Sequence, residues 1–237
     1  RSVQIEWLEP SFSPYTDYSG ITRRRKNPCI IYGMKYEGKT QRVIRIIFGL
    51  GLLVYLFTDE KFPYWLPFYT FHTNLFVAFW YILAGAFPHN GKSSFWMHTS
   101  VKGAITAYIT ITGLIYNTLL IPGERAYRGY IPFASIVTHI FVPLIMILDY
   151  LLAPVVDKPD WRRLWLWLSY PLLYAAGVIV GGSISGNYPY PFIDPQQVGS
   201  TPRLIINYAA LILLHLGLAA LYLAIGRYKY KPQQEQI

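Results

Sequence analysis

Long apolar runs recur along the chain and are separated by short polar or Pro- and Gly-rich turns. A helix that crosses a bilayer needs about 20 mostly apolar residues, whereas a soluble helix is apolar on one face only. We place six spans, at residues 42–58, 64–87, 97–121, 131–152, 164–180 and 204–225. The pattern therefore predicts an all-α, polytopic membrane protein with six transmembrane helices in one bundle.

The six spans divide the chain into three parts. Residues 1–40 contain three prolines and a run of four basic residues at 23–26, and we interpret them as a cytoplasmic polar and basic arm. Residues 41–228 form the transmembrane domain, and residues 229–237 form a cytoplasmic tail. The basic run suits a membrane surface, because anionic lipids attract clustered Lys and Arg. A specific acidic partner is the alternative.

The composition excludes an ordinary soluble domain. Charged residues make up 14% of the 237-residue chain and hydrophobic residues 53%, whereas soluble domains carry about 25% charged residues. The net charge of +9 does not indicate nucleic-acid binding, because the basic residues lie beside the apolar runs. The single cysteine, Cys29, excludes an internal disulfide and a thiolate metal cluster. We expect neither a metal nor a cofactor.

The positive charges orient the spans. Four of the 21 Lys and Arg residues fall on one side of the six-span topology, and the other 17 fall on the opposite side. The four are Lys61, Arg125, Arg128 and Arg203. Cytoplasmic segments carry the excess of Lys and Arg, so both termini are expected in the cytoplasm. The second, fourth and sixth spans then run inward from the outer surface.

The first half of the second span is polar for a transmembrane helix. Thr70, Thr73 and Asn74 follow the i, i+3, i+4 spacing that puts three residues on one helix face, and His72 points roughly the opposite way. Polar groups at membrane depth cost free energy unless something satisfies them. The face of Thr70 should therefore look into the bundle or into a cavity.

Two histidines on other spans reach the same depth. At about 1.5 Å of rise per residue, His139 and His215 share with Thr70 a layer roughly 9–17 Å below the outer boundary, and Asn117 lies nearer to that surface. A metal site is not indicated, because no carboxylate accompanies the histidines at this depth. Pro143 lacks an N–H and so frees the carbonyl of His139, which favours a polar pocket wall at this place.

A hydroxyl and an imidazole at one depth suggest nucleophilic catalysis. A threonine hydroxyl becomes an effective nucleophile when a base takes its proton, and a neutral histidine can be that base. The developing oxyanion would need donors, for which Asn74, Asn117 or a tyrosine hydroxyl are candidates. Structural roles compete with this interpretation. Thr73 is expected to bond its own i−4 carbonyl, and His72 and His215 are expected to make hydrogen bonds between helices.

Two opposite charges share a second layer. Lys102 and Asp149 lie near the cytoplasmic ends of the third and fourth spans. Opposite charges at one depth on neighbouring spans commonly pair. We therefore predict a structural ion pair, with a proton relay as the alternative.

Three groups of motifs follow one another along the spans. On the second span they are YTF and TNL, at 69–75. On the fourth span they are THIFVP at 138–143 and LDY at 148–150. The third group joins YPL at 170–172 to the aromatic-proline loop GNYPYPF at 186–192. In this order the motifs resemble those of the androgen-inducible integral membrane hydrolase family, especially its prokaryotic six-span relatives, and the resemblance covers about residues 40–228.

The resemblance implies hydrolysis of a membrane lipid or other fatty-acyl ester. The animal members are threonine hydrolases of fatty acid esters of hydroxy fatty acids, with one threonine and one histidine. The matching residues here are Thr70 and His139. A shift of one turn would select Thr73, and a shift of one residue would select Thr138. The alternative function is a non-enzymatic six-helix membrane protein, either an accessory subunit of an assembly or a carrier.

Overall fold

The chain is helical throughout the part that the structure describes. The computed structural model describes residues 38–58, 62–87 and 95–230, and every regular element in these ranges is a helix. The six long helices are α1 (Lys39–Phe57), α2 (Tyr69–Ala86), α3 (Thr99–Arg128), α4 (Phe133–Leu152), α5 (Leu164–Ser185) and α6 (Thr201–Lys229). Single turns lie between them, at Phe62–Trp65, Phe95–Met97, Trp161–Arg163, Pro191–Ile193 and Pro195–Val198. The predicted all-α class is confirmed for these residues.

Five of the long helices are long and apolar enough to cross a membrane, namely α1, α3, α4, α5 and α6. Such helices identify a membrane protein. The helix α2 has 18 residues and is not among the five, since polar residues such as His72 and Asn74 interrupt its first two turns. More than half of the α2 residues are buried by the rest of the protein.

The helix α1 packs along α2 with one face and leaves its other face exposed. Gly49 permits the close approach, because a Cβ added there would lie 2.6 Å from the carbonyl oxygen of Ala78. Arg42 donates from Nε to the carbonyl oxygen of Gly85 over 3.0 Å and so caps the C terminus of α2. On the opposite face Ile47 is exposed, as expected of a surface that meets lipid.

Several helix boundaries differ from the prediction. The second helix begins at Tyr69 instead of residue 64, because Pro67 lacks an N–H and disfavours a helical residue before it. The helices α5 and α6 continue past the predicted ends, to Ser185 and Lys229. Lys229 was assigned to the tail and instead belongs to α6. Apart from residues 38–40, the predicted arm lies outside the described residues, as do residues 231–237.

The third helix does not end at residue 121, where its span was predicted to end. The helix α3 continues to Arg128 and stops at Gly129, whose φ is 76°. It passes Pro122 by way of a π turn at Tyr116–Leu120, in which the N–H of Ile121 bonds to the carbonyl of Tyr116. The wider π register shifts the hydrogen-bond pattern just before the proline, which has no N–H to donate.

The helix α4 repeats this arrangement. Its π turn, Val137–Phe141, is followed by an α-helical segment, Val142–Leu152, with Pro143 as the second residue. Pro122 is likewise the second residue of the segment that follows the π turn of α3. The two π turns lie against each other, because α3 packs on α4 along this stretch.

The predicted ion pair is present at the other end of α3 and α4. The Nζ atom of Lys102 lies 3.0 Å from Oδ2 of Asp149 and 2.9 Å from the backbone oxygen of the same residue. Arg45 reaches the other carboxylate oxygen at 3.8 Å, and the hydroxyl of Tyr81 donates to Oδ2 over 3.4 Å. Lys102 is buried, so its charge is balanced inside the protein.

Candidate active site

The two π turns place an aromatic ring against the candidate histidine. The rings of Tyr116 and His139 stack with centroids 3.9 Å apart and planes inclined by 21°. A π turn widens the helix by one residue per turn and often occurs at a functional site. The stack therefore fixes the plane of the imidazole from one side.

The histidine meets the threonine that the motif resemblance selected. The Nδ1 atom of His139 lies 3.0 Å from the carbonyl oxygen of Ser135. A carbonyl can only accept, so Nδ1 carries the proton and Nε2 is left as an acceptor. The Nε2 atom lies 3.1 Å from Oγ1 of Thr70, whose hydroxyl can therefore donate to it. The predicted contact between Thr70 and His139 is present.

The backbone around Thr70 is held by its neighbours. The carbonyl oxygen of Thr70 accepts from Nδ2 of Asn74 over 2.8 Å and from Oγ1 of Thr73 over 3.2 Å. The N–H of Thr70 donates to the hydroxyl oxygen of Tyr190 over 3.4 Å. These contacts fix the first turn of α2 and direct the Thr70 hydroxyl toward His139.

The two asparagines hold the backbone of α4. Asn74 also donates from Nδ2 to the carbonyl of Thr138 over 3.1 Å. Asn117 donates from Nδ2 to the carbonyl of His139 over 3.3 Å and to that of Gly113 over 2.7 Å. The carbonyl that Pro143 was predicted to free is thus bound by an amide. Both Nδ2 atoms therefore bond to backbone carbonyls in this structure, and their role as oxyanion donors stays a prediction.

The other polar residues of the layer have structural contacts. The Thr73 hydroxyl bonds to the carbonyl of Thr70, three residues back, and to the Thr112 hydroxyl at 2.8 Å, instead of the predicted i−4 carbonyl. The Thr138 hydroxyl donates to the carbonyl of Ala134 over 2.8 Å and lies 3.0 Å from Nδ1 of His139. It therefore sits behind the imidazole, on the side away from Thr70.

His72 and His215 make hydrogen bonds between helices, as predicted. His72 bonds to the Tyr170 hydroxyl at 3.0 Å and to the carbonyl of Leu66 at 2.7 Å. His215 bonds to the Tyr69 hydroxyl at 3.0 Å and to the carbonyl of Leu211 at 2.7 Å. His215 shares the depth of the site but makes no contact with His139.

An acidic group, Glu124, lies beside the site and was not among the predicted residues. The carboxylate of Glu124 accepts from the Tyr116 hydroxyl, from Oγ of Ser135 over 3.2 Å, and pairs with Nε of Arg128 at 3.5 Å. The i, i+4 spacing of Glu124 and Arg128 would have suggested one helix face. That signal was missed because the helix was expected to end at residue 121.

Tyr190 was noted only as part of the aromatic-proline loop. Its side chain is buried against the start of α2, and its hydroxyl oxygen accepts from the Thr70 N–H. Burial raises the pKa of Tyr190, so the hydroxyl keeps its proton near neutral pH. A protonated tyrosine hydroxyl therefore lies beside the backbone of Thr70.

Two cavities meet at Thr70. The larger has a volume of about 830 Å³, and its wall includes Thr70, His139, Glu124 and Arg128. The smaller has a volume of about 80 Å³, and its wall also includes Thr70. The wall of the larger cavity combines aromatic side chains with the charged pair Glu124 and Arg128.

Gly113 sets the distance between the two π turns. A Cβ added there would lie 3.1 Å from the carbonyl oxygen of His139 and 3.1 Å from Cβ of Pro143. We expect Gly113→Ala to push α4 away from α3 and to lower the free energy of unfolding by about 1–3 kcal/mol, as overpacked sites do. Thermal unfolding in detergent measures the change.

Gly177→Ala is the matched control, because a Cβ added at Gly177 meets no atom within 4 Å. An alanine in the middle of a helix should raise stability by about 0.5–1 kcal/mol. Equal shifts in the two variants would contradict the close packing assigned to Gly113.

Comparison with known proteins assigns no family or activity to the site. No family model, curated protein or solved structure matches the chain. The resemblance to the hydrolase family stays a prediction carried by the quoted motifs. Within the described residues, no three His, Cys, Asp or Glu side chains come together as metal ligands would.

Proposed function

We propose that the protein is a membrane-embedded lipid-ester hydrolase with Thr70 as its nucleophile and His139 as its base. The observation that carries the proposal is the 3.1 Å contact from Thr70 Oγ1 to His139 Nε2. The bond from Nδ1 to the Ser135 carbonyl leaves Nε2 ready to accept a proton. Both side chains line the larger cavity, so a substrate can reach them.

The first half of the reaction forms an acyl-enzyme. The Thr70 oxygen attacks the ester carbonyl carbon while Nε2 of His139 takes the hydroxyl proton. The carbonyl oxygen becomes an oxyanion, and the Tyr190 hydroxyl beside Thr70 is the donor available to stabilise it. When the C–O bond to the leaving alcohol breaks, the Nε2 proton passes to the alcohol oxygen. The acyl group is then bound to Thr70.

The second half returns the enzyme to its starting state. A water molecule enters by the larger cavity and attacks the acyl carbon while Nε2 takes one of its protons. The bond from the acyl carbon to the Thr70 oxygen breaks, and Thr70 recovers the proton from His139. The charged pair Glu124 and Arg128 on the cavity wall offers polar groups to the water and to the headgroup end of a lipid.

We further propose that α1 to α6 form one bundle of six spans, with α2 as the central span that carries the nucleophile. The burial of most of α2 supports a position among the other helices. The distribution of 17 against four basic residues favours cytoplasmic termini. In this orientation the larger cavity opens toward the outer side, where an ester lipid can enter.

The orientation predicts how Cys29, the single cysteine of the chain, reacts. A membrane-impermeant thiol reagent should leave Cys29 unlabelled in intact cells and label it once the membrane is opened, because the N terminus is expected in the cytoplasm. Gel-shift or mass measurement of the labelled protein reads the result. Labelling of Cys29 in intact cells would contradict the proposed orientation.

A fluorophosphonate probe tests the proposed function directly. The probe should form a covalent adduct that peptide mapping locates on Thr70, since activated hydroxyl nucleophiles react with such phosphorus centres. His139→Ala should abolish the adduct while the protein keeps its thermal unfolding temperature to within a few degrees. An adduct elsewhere, or none, would favour the non-enzymatic membrane protein.

Tyr190→Phe tests the oxyanion donor. Removal of the hydroxyl should lower kcat about 10²- to 10³-fold and change KM little, because the hydrogen bond strengthens in the transition state. Steady-state hydrolysis of a lipid ester measures both constants. Tyr188→Phe is the control from the same loop, since Tyr188 packs against Gly182 and lines neither cavity. Equal losses of kcat in the two variants would contradict the assignment of Tyr190 as the oxyanion donor.

A further inference from the structure

A single carboxylate bridges the two helices that carry the π turns. Oε2 of Glu124, near the end of α3, accepts from the hydroxyl of Tyr116 in the π turn of the same helix. Oε1 of Glu124 accepts from Oγ of Ser135 in the first turn of α4 over 3.2 Å. Glu124 thus holds one residue from each helix, and both of these residues contact His139.

The π turn of α3 brings Glu124 into line with Tyr116. In an uninterrupted α-helix, residues that are eight apart differ in direction by about 80°. The π turn accommodates one extra residue, so the two side chains behave as if they were about seven residues apart and differ in direction by about 20°. Both can therefore reach the same region beside α4.

Tyr116 and Ser135 contact the imidazole of His139 from two directions. The Tyr116 ring stacks on the face of the imidazole with centroids 3.9 Å apart. The backbone oxygen of Ser135 accepts from Nδ1 over 3.0 Å. Nε2 is left facing Oγ1 of Thr70 at 3.1 Å. The bonds from Glu124 therefore act on both groups that fix the base.

A second tautomer of His139 competes with the productive one. The Thr138 hydroxyl lies 3.0 Å from Nδ1 and can donate to it if it turns away from the carbonyl of Ala134. Nε2 would then carry the proton and donate to Thr70, so it could not take the proton of the Thr70 hydroxyl. The Ser135 carbonyl opposes this exchange, because it can only accept and so keeps the proton on Nδ1.

We propose that Glu124 is a positioning residue that fixes the tautomer and the ring plane of His139 through Ser135 and Tyr116. This inference rests on the function proposed above and adds the third group, the one that orients the base of a nucleophile and base pair. The role needs two acceptor oxygens, which a carboxylate has and an amide does not. Arg128 pairs with the same carboxylate at 3.5 Å and balances its charge, so the contribution assigned to Glu124 is the geometry of its hydrogen bonds.

Nitrogen NMR tests the positioning without turnover. In protein that carries isotope-labelled histidine in detergent micelles, the chemical shifts of the two ring nitrogens show which one bears the proton, and the signals missing from His139→Gln assign the residue. Wild-type His139 should be protonated on Nδ1 near neutral pH, whereas Glu124→Gln and Glu124→Ala should give a mixture of both tautomers. A pure Nδ1–H tautomer in both variants, or an Nε2–H tautomer in the wild type, would overturn the inference.

The same variants should lose catalytic rate and keep their affinity for substrate. Glu124→Gln and Glu124→Ala should lower kcat for dodecyl octanoate in mixed micelles about 10- to 10²-fold, because a misplaced base slows the reaction of a substrate that still binds. KM should change less than about threefold. Thermal unfolding confirms that each variant is folded.

The two bonds of Glu124 can be removed from their other ends. Tyr116→Phe keeps the stacked ring and loses the bond to Glu124, and Ser135→Ala loses the second bond. Each should cause part of the loss of kcat. Glu124→Ala added to both should cause no further loss, because the bonds are already absent. A further loss as large as that of Glu124→Ala in the wild type would show that Glu124 does not act through these residues.

Arg125→Gln is the control, because it removes a charge from an exposed position next to Glu124. It should leave the tautomer of His139 unchanged and kcat within about twofold of the wild type, and a loss equal to that of Glu124→Gln would overturn the positioning role. Wild-type protein that neither hydrolyses the ester nor reacts with the fluorophosphonate would overturn the proposed function, while the nitrogen spectra still decide whether Glu124 sets the tautomer. Hydrolysis by the wild type with an unchanged kcat and tautomer in Glu124→Gln would overturn the positioning role alone.

Discussion

Thr70→Ala is expected to lower kcat for lipid-ester hydrolysis by at least about 10⁴-fold, because the variant lacks the oxygen proposed to attack the ester. Thr70→Ser keeps a hydroxyl within reach of His139 Nε2 and should retain a measurable part of the activity. The melting temperature should change little, because the backbone contacts of Thr70 with Asn74 and Tyr190 do not involve its side chain. Initial rates at saturating ester measure the effect.

Substitution of His139, the proposed base, should also lower kcat. His139→Gln removes the base and should cost about 10²- to 10⁴-fold in kcat. The double variant Thr70→Ala, His139→Gln should be no slower than Thr70→Ala alone, because residues that act as one unit are not additive. A purely structural hydrogen bond between the two would instead give losses of stability that do not add, with no change of rate.

Thr73→Val is the matched control on the same helix. It removes a hydroxyl that bonds to the Thr70 carbonyl and to Thr112, and the Thr112 hydroxyl keeps its bond to the carbonyl of Tyr108. The rate should fall less than about tenfold, since no proton transfer depends on Thr73. A loss of rate as large as that of Thr70→Ala would instead indicate that Thr73 is the nucleophile.

Asp149→Asn is expected to lower the free energy of unfolding by about 3–5 kcal/mol, because removal of one partner leaves a buried charge uncompensated. The substitution takes a carboxylate away from two cations, Lys102 at 3.0 Å and Arg45 at 3.8 Å. Lys102→Met should cost less, since Arg45 and the Tyr81 hydroxyl still contact the carboxylate. Denaturant or thermal unfolding in detergent measures both.

The double variant tests whether Lys102 and Asp149 stabilise each other or act independently. Lys102→Met combined with Asp149→Asn removes both charges, so it should recover part of the stability lost by Asp149→Asn alone. Losses that simply add would show that Lys102 and Asp149 do not stabilise each other. A proton relay, the alternative considered for these residues, would require in addition that activity respond to either single variant at unchanged stability.

Contacts between residues at equal depth could be predicted from the sequence. Each long helix rises by a nearly constant distance per residue, so counting inward from one boundary placed Thr70 level with His139 and Lys102 level with Asp149. Both pairs are in contact. The same counting placed His215 at the depth of the site. It could not assign the direction around the helix in which His215 points, and His215 bonds to Tyr69 instead.

The local geometry at the prolines could not be predicted in the same way. The third span was predicted to end at residue 121, just before Pro122, and Pro143 was predicted to free a carbonyl. In the structure each proline follows a π turn, and Asn117 binds the carbonyl of His139. A proline removes one N–H wherever it occurs, but whether the helix ends or shifts its register depends on the neighbouring helix against which it packs.

The sequence by itself determined the helical class, the apolar segments and the pairing of polar groups by depth, because hydrophobic period and helix rise are local properties of the chain. The tertiary structure alone decided that Tyr116 stacks on His139, that Tyr190 lies beside Thr70, and that two cavities of unequal volume meet there. Those features depend on the path of loop 186–200 and on how closely α3 approaches α4. Neither the loop path nor the helix spacing leaves a periodic signal in the sequence.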